Sequence, residues 1–113
     1  MKSLLSLLLL CGLFLQVTSC SKDDECSTTN ITYSNTVKSI FDSNCTLSGC
    51  HNSGSVNGSL ASYDDAKNFP RLNRMVGALR REAGFVAMPQ GTSPLGSCDI
   101  DQIEAWIAAG TPN

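Results

Sequence analysis

Cys45-Thr46-Leu47-Ser48-Gly49-Cys50-His51 sets two thiols and an imidazole within seven residues, and His51 is the only histidine of the 113-residue chain. A fold built around this string must hold three side chains with affinity for metals and electrophiles on one short stretch of backbone. It has little else to build with. Much of the 42% hydrophobic content lies in the first twenty residues, so one small domain is the limit. Domains of that size commonly lean on a disulfide, a metal or a cofactor.

The chain opens with Lys2, then an apolar run from Leu4 to Leu15 and the small residues of Val17-Thr18-Ser19-Cys20. These are the charged, apolar and small-residue parts of a secretory signal, and the run is shorter than the roughly 20 residues that a spanning helix requires. Val17-Thr18-Ser19-Cys20 resembles the lipobox of bacterial lipoproteins, in which the cysteine becomes the acylated first residue after cleavage. The expectation is a lipoprotein signal peptide over 1–19 and a lipid anchor on Cys20; the alternative is an ordinary secretory signal with an incidental cysteine. Acyl chains would hold the protein firmly, at about 0.8 kcal/mol per buried methylene. Ser21-Lys22-Asp23-Asp24-Glu25 also looks like the signal that sends some Gram-negative lipoproteins to the cell surface, so an outer-membrane location facing periplasm or exterior is expected.

Without residues 1–19 the chain carries 7 basic and 10 acidic residues. Its arginines and lysines are scattered apart from Arg71, Arg74, Arg80 and Arg81, so the electrostatic footprint of a nucleic-acid binder is missing. Residues 20–33 are mostly polar and aperiodic and read as a lipid-anchored tether. From there on the period is helical. Val37, Ile40 and Phe41 predict a helix over 34–44. Between His51 and Ser62, serines, glycines and asparagines predict a surface loop in which only Val56 and Leu60 pack and no chemistry is expected. Ser62 and Asp65 can cap a short helix over 63–68. Leu72, Met75, Val76 and Leu79 share a face of a third helix that Gly84 would end, and Ser97 or Asp99 would cap a last one turning Ile100, Ile103, Trp106 and Ile107 inward. No strand period occurs, so an all-α domain of three to four helices with long loops is expected over 34–113.

A cysteine followed directly by histidine, with a second cysteine shortly upstream, is the attachment motif of c-type haem. Each thiol can add to one vinyl group, and the adjacent histidine is then held beneath the iron with a neutral imidazole nitrogen free to coordinate. Four residues separate the cysteines here instead of the common two; Ser48-Gly49 supplies a flexible turn for the longer spacer. The competing readings are a Cys45–Cys50 disulfide with His51 as a surface residue, and a zinc site, which would have to borrow Cys26, Cys98 or carboxylates.

Ser39-Ile40-Phe41 leading to Asn44-Cys45, then Cys50-His51, Met88-Pro89 and Ile103-Glu104-Ala105-Trp106-Ile107, resembles a class I c-type cytochrome over residues 34–113. The resemblance implies a small cytochrome c-like fold wrapped around one haem, with Phe41 and Trp106 meeting where the helix before the first cysteine crosses the last helix. It implies covalent haem on Cys45 and Cys50, His51 as one axial iron ligand, and Met88 as the other. Met75, the remaining thioether after the initiator, lies in an apolar stripe and reads as core. Small lipoprotein cytochromes of this kind carry cysteines in the places of Cys26 and Cys98, so a bridge between them is implied; the alternative is that one or both are free, which is disfavoured outside the cytoplasm.

The expected function is one-electron transfer between a redox-protein donor and acceptor, with the membrane engaged through the lipid anchor. The pocket would be walled by Phe41, Leu60, Leu72, Val76, Leu79, Leu95, Ile103 and Trp106. The lone histidine leaves no spare base for a nucleophilic enzyme, and no serine elbow or phosphate loop occurs. Paired acids such as Asp64-Asp65 fall in predicted first turns, where they complement the helix dipole. Two alternatives stand beside the electron carrier: a haem-free, disulfide-bonded lipoprotein binding module, and a small haem peroxidase-like enzyme with an open iron.

Overall fold

The computed structural model describes residues 25–113. The signal peptide over 1–19, the lipidation of Cys20 and nearly all of the Ser21–Glu25 signal lie outside the described residues. The described residues are helical and contain no strand, and no helix among them is long and apolar enough to cross a membrane.

Thr32 and Asn35 start the first helix by capping each other: Thr32 Oγ1 accepts from Asn35 N at 3.2 Å and Asn35 Oδ1 accepts from Thr32 N at 2.8 Å. This satisfies two of the amides that a helix start leaves without partners. The first turn, Tyr33–Val37, is π-helical and runs directly into α1, Lys38–Asn44. The helix expected over 34–44 thus begins one residue earlier and with a wider turn. Ile31 and Tyr33, within the stretch expected to be tether, are core residues at 7% and 4% exposure.

Ser62 caps α2, Tyr63–Lys67, by accepting from Asp65 N, as its sequence indicates. The apolar stripe from Leu72 to Leu79 is not one helix. A 3-10 turn, Leu72–Arg74, leads into α3, Met75–Leu79. The helix stops five residues before Gly84 because Glu82 N turns back to Gly77 O and Arg81 takes a left-handed φ of 56°. The last helix, α4, covers Ser97–Ala108, with Gly96 at its cap position and no side-chain cap bond from Ser97 or Asp99. A disulfide joins Cys26 to Cys98 in its first turn, with Cα atoms 5.5 Å apart. Gln102 Nε2 donates to Ser27 O at 3.0 Å and lays the same N-terminal segment along α4.

The core forms where α4 meets the first helix. Val37, Phe41, Ile103 and Trp106 are fully buried, and Phe41 stands edge-on to Trp106 with ring centroids 6.1 Å apart at 84°. Trp106 Nε1 and Tyr33 N both donate to Pro112 O at 2.8 Å, which folds the C-terminal residues over this contact. The Tyr33 hydroxyl is buried without a hydrogen-bond partner, and burial raises its pKa. Such an orphan costs about 1–3 kcal/mol; the packing of its ring against Tyr63 and Trp106 opposes that cost.

Candidate functional site

α1 ends where the motif begins. Cys45 N and Thr46 N both donate to Phe41 O, and the chain then loops so that Cys50 N meets Leu47 O at 3.0 Å and His51 N meets Cys45 O at 2.9 Å. Gly49, at φ +80°, makes the turn into Cys50, a conformation in which a side chain is strained. The four-residue spacer therefore closes on itself and returns His51 to the end of α1. Both cysteines are free thiols, Cys45 half-buried and Cys50 exposed, so the structure does not have the Cys45–Cys50 disulfide weighed from spacing.

His51 is held by a loop that its own composition marks as inert. Its Nδ1 lies 2.9 Å from Gly58 O. A carbonyl only accepts, so Nδ1 carries the proton, and in the neutral ring Nε2 then has the lone pair that a metal can use. Leu60 N donates to His51 O at 2.8 Å, and the imidazole meets the Phe69 ring edge to face at 5.3 Å. Gly58 has φ +91°, and a Cβ built there would lie 2.7 Å from Phe69. Glycine is required on both counts. Leu60 is buried as expected, whereas Val56 is fully exposed and packs on nothing.

Across from the motif, the Met88 loop is pinned from α3 and the turn that follows it. Met88 N donates to Ala78 O at 3.0 Å, and the Arg81 guanidinium donates to Thr92 O at 2.7 Å and Pro89 O at 3.3 Å. A cavity of about 300 Å³ lies between this loop and the motif, with Cys45, Cys50, His51 and Met88 all in its wall. A second, of about 150 Å³, shares His51, Arg71, Val86 and Met88 with the first and is otherwise mostly apolar. Small-molecule sites begin at about 300 Å³.

The structure thus brings the four sequence-predicted residues to one cavity. It rearranges the wall. Of the eight residues expected to form it, Leu79 lines the smaller cavity, while Phe41, Leu60, Ile103 and Trp106 are core. Phe69, Met75, Phe85 and Val86 line it instead, so Met75 belongs both to the core and to the site. Sequence reasoning also missed Gly58, Arg71 and Arg81. A bond from a carbonyl leaves no residue-type signal, and the arginines read as solvated helix surface. Among the described residues no group of three His, Cys, Asp or Glu side chains gathers closely enough to hold a bare metal ion.

Burial pushes the Cys45 thiol up to about 11, with the neighbouring Cys50 adding to the effect. In the haem-free protein, alkylation at pH 8 is expected to label Cys50 promptly, while Cys45, with about one thiol in a thousand ionised, lags far behind. Its rate should climb about tenfold per pH unit toward 11. Because its folded pKa lies above the unfolded value, the thiol's contribution to stability is present below pH 9 and is lost as pH rises toward about 11. Equal labelling of both thiols at pH 8 by mass spectrometry would contradict this.

No protein-family model, no curated protein and no solved structure matches the chain.

Proposed function

We propose that this chain is a single-haem c-type cytochrome that carries electrons on the outer side of a bacterial membrane, anchored through an acylated Cys20. The observation that carries the reading is the shared cavity: two free thiols, an imidazole with its lone pair on Nε2, and a thioether all line it. The residues fit a haem on chemistry as well as on placement. Thiols that are not bonded to each other are what thioether formation consumes, each addition making one sulfur–carbon bond while the thiol proton passes to the other vinyl carbon. Cys45 and Cys50 would hold the group covalently, and His51 and Met88 would supply the axial ligands.

The bound haem would supply one-electron cycling of its iron between ferric and ferrous states. The chain's own residues do the rest. Gly58 O fixes the tautomer and the angle of His51, and Phe69 limits its tilt. Ala78 O and Arg81 hold the Met88 loop, and the apolar wall of Phe69, Phe85 and Leu79 would keep water from a bound haem and so favour its less charged ferrous state. Redox proteins of donor and acceptor type would be its partners, with the membrane reached through the lipid.

The test is an alkaline pyridine spectrum of the mature protein made in a host with cytochrome c maturation, taken after acid-acetone extraction. A reduced α band at the c-type position that survives extraction is expected; no retained haem would overturn the reading. In the haem-loaded protein, Met88→Ala is expected to open the iron and create cyanide binding that the wild type shows weakly. Strong cyanide binding by the wild type, unchanged by Met88→Ala, would favour an open-iron haem enzyme over an electron carrier.

A further inference from the structure

We infer that Asp65 is a positioning residue for His51, acting through Ser59 to lock the Gly58 carbonyl that fixes the imidazole, and so setting how strongly His51 would bind the haem iron. The inference rests on the haem reading above and concerns a side chain that lines neither cavity. The two acids at the start of α2 divide in the structure. Asp64 pairs with Lys67 at 2.9 Å, the ordinary use of an acid on a helix surface. Asp65 turns the other way: its Oδ2 accepts from Ser59 Oγ at 2.9 Å, back across the start of the helix. Ser59 is the residue after Gly58, whose carbonyl meets His51 Nδ1 at 2.9 Å.

The Gly58–Ser59 peptide is a loose link by its own chemistry. Gly58 sits at φ +91°, and glycine populates both signs of φ about equally, so rotating this peptide costs glycine little. It has to be held from the Ser59 side. The Ser59 hydroxyl gives its one proton to Asp65, while its oxygen accepts from Ala61 N at 3.1 Å. A bond to an ionised carboxylate is stronger than one between neutral groups. α2 grips the same link from its far end, where Phe69 lies two residues past Lys67 and packs against both Gly58 and His51. The helix itself is tied to the core through buried Ala66 and through the Tyr63 hydroxyl, which donates to Thr111 O at 3.0 Å. The angle of His51 is thereby set from the core and not by the loop alone.

An imidazole whose Nδ1–H is held by an acceptor is a stronger donor from Nε2. A stronger donor favours the more charged ferric iron, so releasing Gly58 O should raise the potential. Ser59→Ala or Asp65→Ala should increase the equilibrium constant for reduction about threefold, within what one hydrogen bond contributes. The held Nδ1–H should also exchange slowly with solvent, and about tenfold faster in either variant. Because the two substitutions break one and the same bond, the double variant should go no further than either alone. Asp65→Asn keeps an acceptor oxygen for Ser59 and should stay close to the wild type.

The experiment follows the His51 Nδ1–H by NMR in the reduced, haem-loaded protein, where a chain with one histidine gives one such signal, together with the reduction potential of each variant. Faster exchange and a raised potential in Ser59→Ala and Asp65→Ala, no further change in the double variant and near-wild-type behaviour of Asp65→Asn support the inference, since a merely structural acid would leave the ring proton unmoved. Wild-type exchange and potential in Ser59→Ala overturn it alone. So does an Asp65→Asn protein that behaves as Asp65→Ala, which would place the effect in charge and not in the bond. If Asp65→Ala does not accumulate, Ser59→Ala decides, because Ser59 lies in no helix. A wild type that retains no haem overturns the proposed function, and the clamp is then read in the haem-free protein by nitrogen NMR at alkaline pH, where imidazoles are neutral. There the Nδ1–H tautomer should dominate in the wild type and give way to Nε2–H in Ser59→Ala; equal tautomer ratios in the two overturn the inference.

Discussion

Replacing both Cys26 and Cys98 by serine is expected to lower the unfolding free energy by about 4 kcal/mol and the melting temperature by about 15–30 °C. The bridge spans 72 residues of sequence, nearly the whole described domain, and the loop-closure entropy it removes from the unfolded chain grows with that length. Domains fold with a margin of about 5–15 kcal/mol, and small ones sit at the low end. Losing the bridge thus takes away much of the margin. Thermal unfolding followed by circular dichroism, wild type against the double variant, checks it. A drop of a few degrees would show that the N-terminal segment is held by Gln102 and its neighbours without help from the sulfur bond.

Trp106→Ala is expected to cost about 3–5 kcal/mol, the usual range for truncating a fully buried large aromatic. Trp106 is buried completely, meets Phe41 edge to face and Tyr33 at 6.3 Å, and donates to Pro112 O. Truncation would leave a void against Phe41 and Tyr33 and release the C-terminal residues that close over them. Trp106→Phe keeps most of the apolar volume and gives up the indole donor, so its cost should be smaller, nearer the about 1 kcal/mol of one hydrogen bond. Urea midpoints at unchanged m-value would measure both. Equal losses for the two variants would place the energy in the Pro112 bond instead of the packing.

These two contacts also mark what the sequence makes legible. Phe41 and Trp106 lie on apolar stripes of helical period, and Ser62 precedes an acidic first turn, so the first and last helices and the cap of α2 follow from spacing alone. Cys45, Cys50, His51 and Met88 are rare residue types in marked settings, and the structure gathers them as candidates for one site. What the spacing did not carry was backbone. The π turn over Tyr33–Val37 follows a reciprocal cap between Thr32 and Asn35 and is made by Val37 N donating to Thr32 O, and α3 stops at Leu79 because amides beyond it turn back onto its last turn. Gly58 orients His51 through a carbonyl that every residue type possesses, so nothing but the chain's path reveals it. Arg81 acts on the Met88 loop only because two carbonyls lie within reach of its guanidinium.

The Cys26–Cys98 bridge has a further consequence, which concerns distance. With Cys20 acylated as proposed, Cys26, the first point fixed to the domain, lies six positions from the lipid, a span of at most about 20 Å when fully extended. Without the bridge, and with the exposed Gln102 bond to Ser27 O released along with it, the first core residue is Ile31, eleven positions from the lipid. Local concentration at the end of a tether falls roughly as the −3/2 power of its length, so the shorter leash raises the encounter frequency with a partner lying in the same membrane about 2.5-fold. The bridge also decides which end of the molecule hangs nearest the lipid, since the chain leaves the domain at the start of α4. With the anchor proposed for Cys20, a bond that stabilises the fold would thereby also set the height and the heading at which the domain hangs from a membrane.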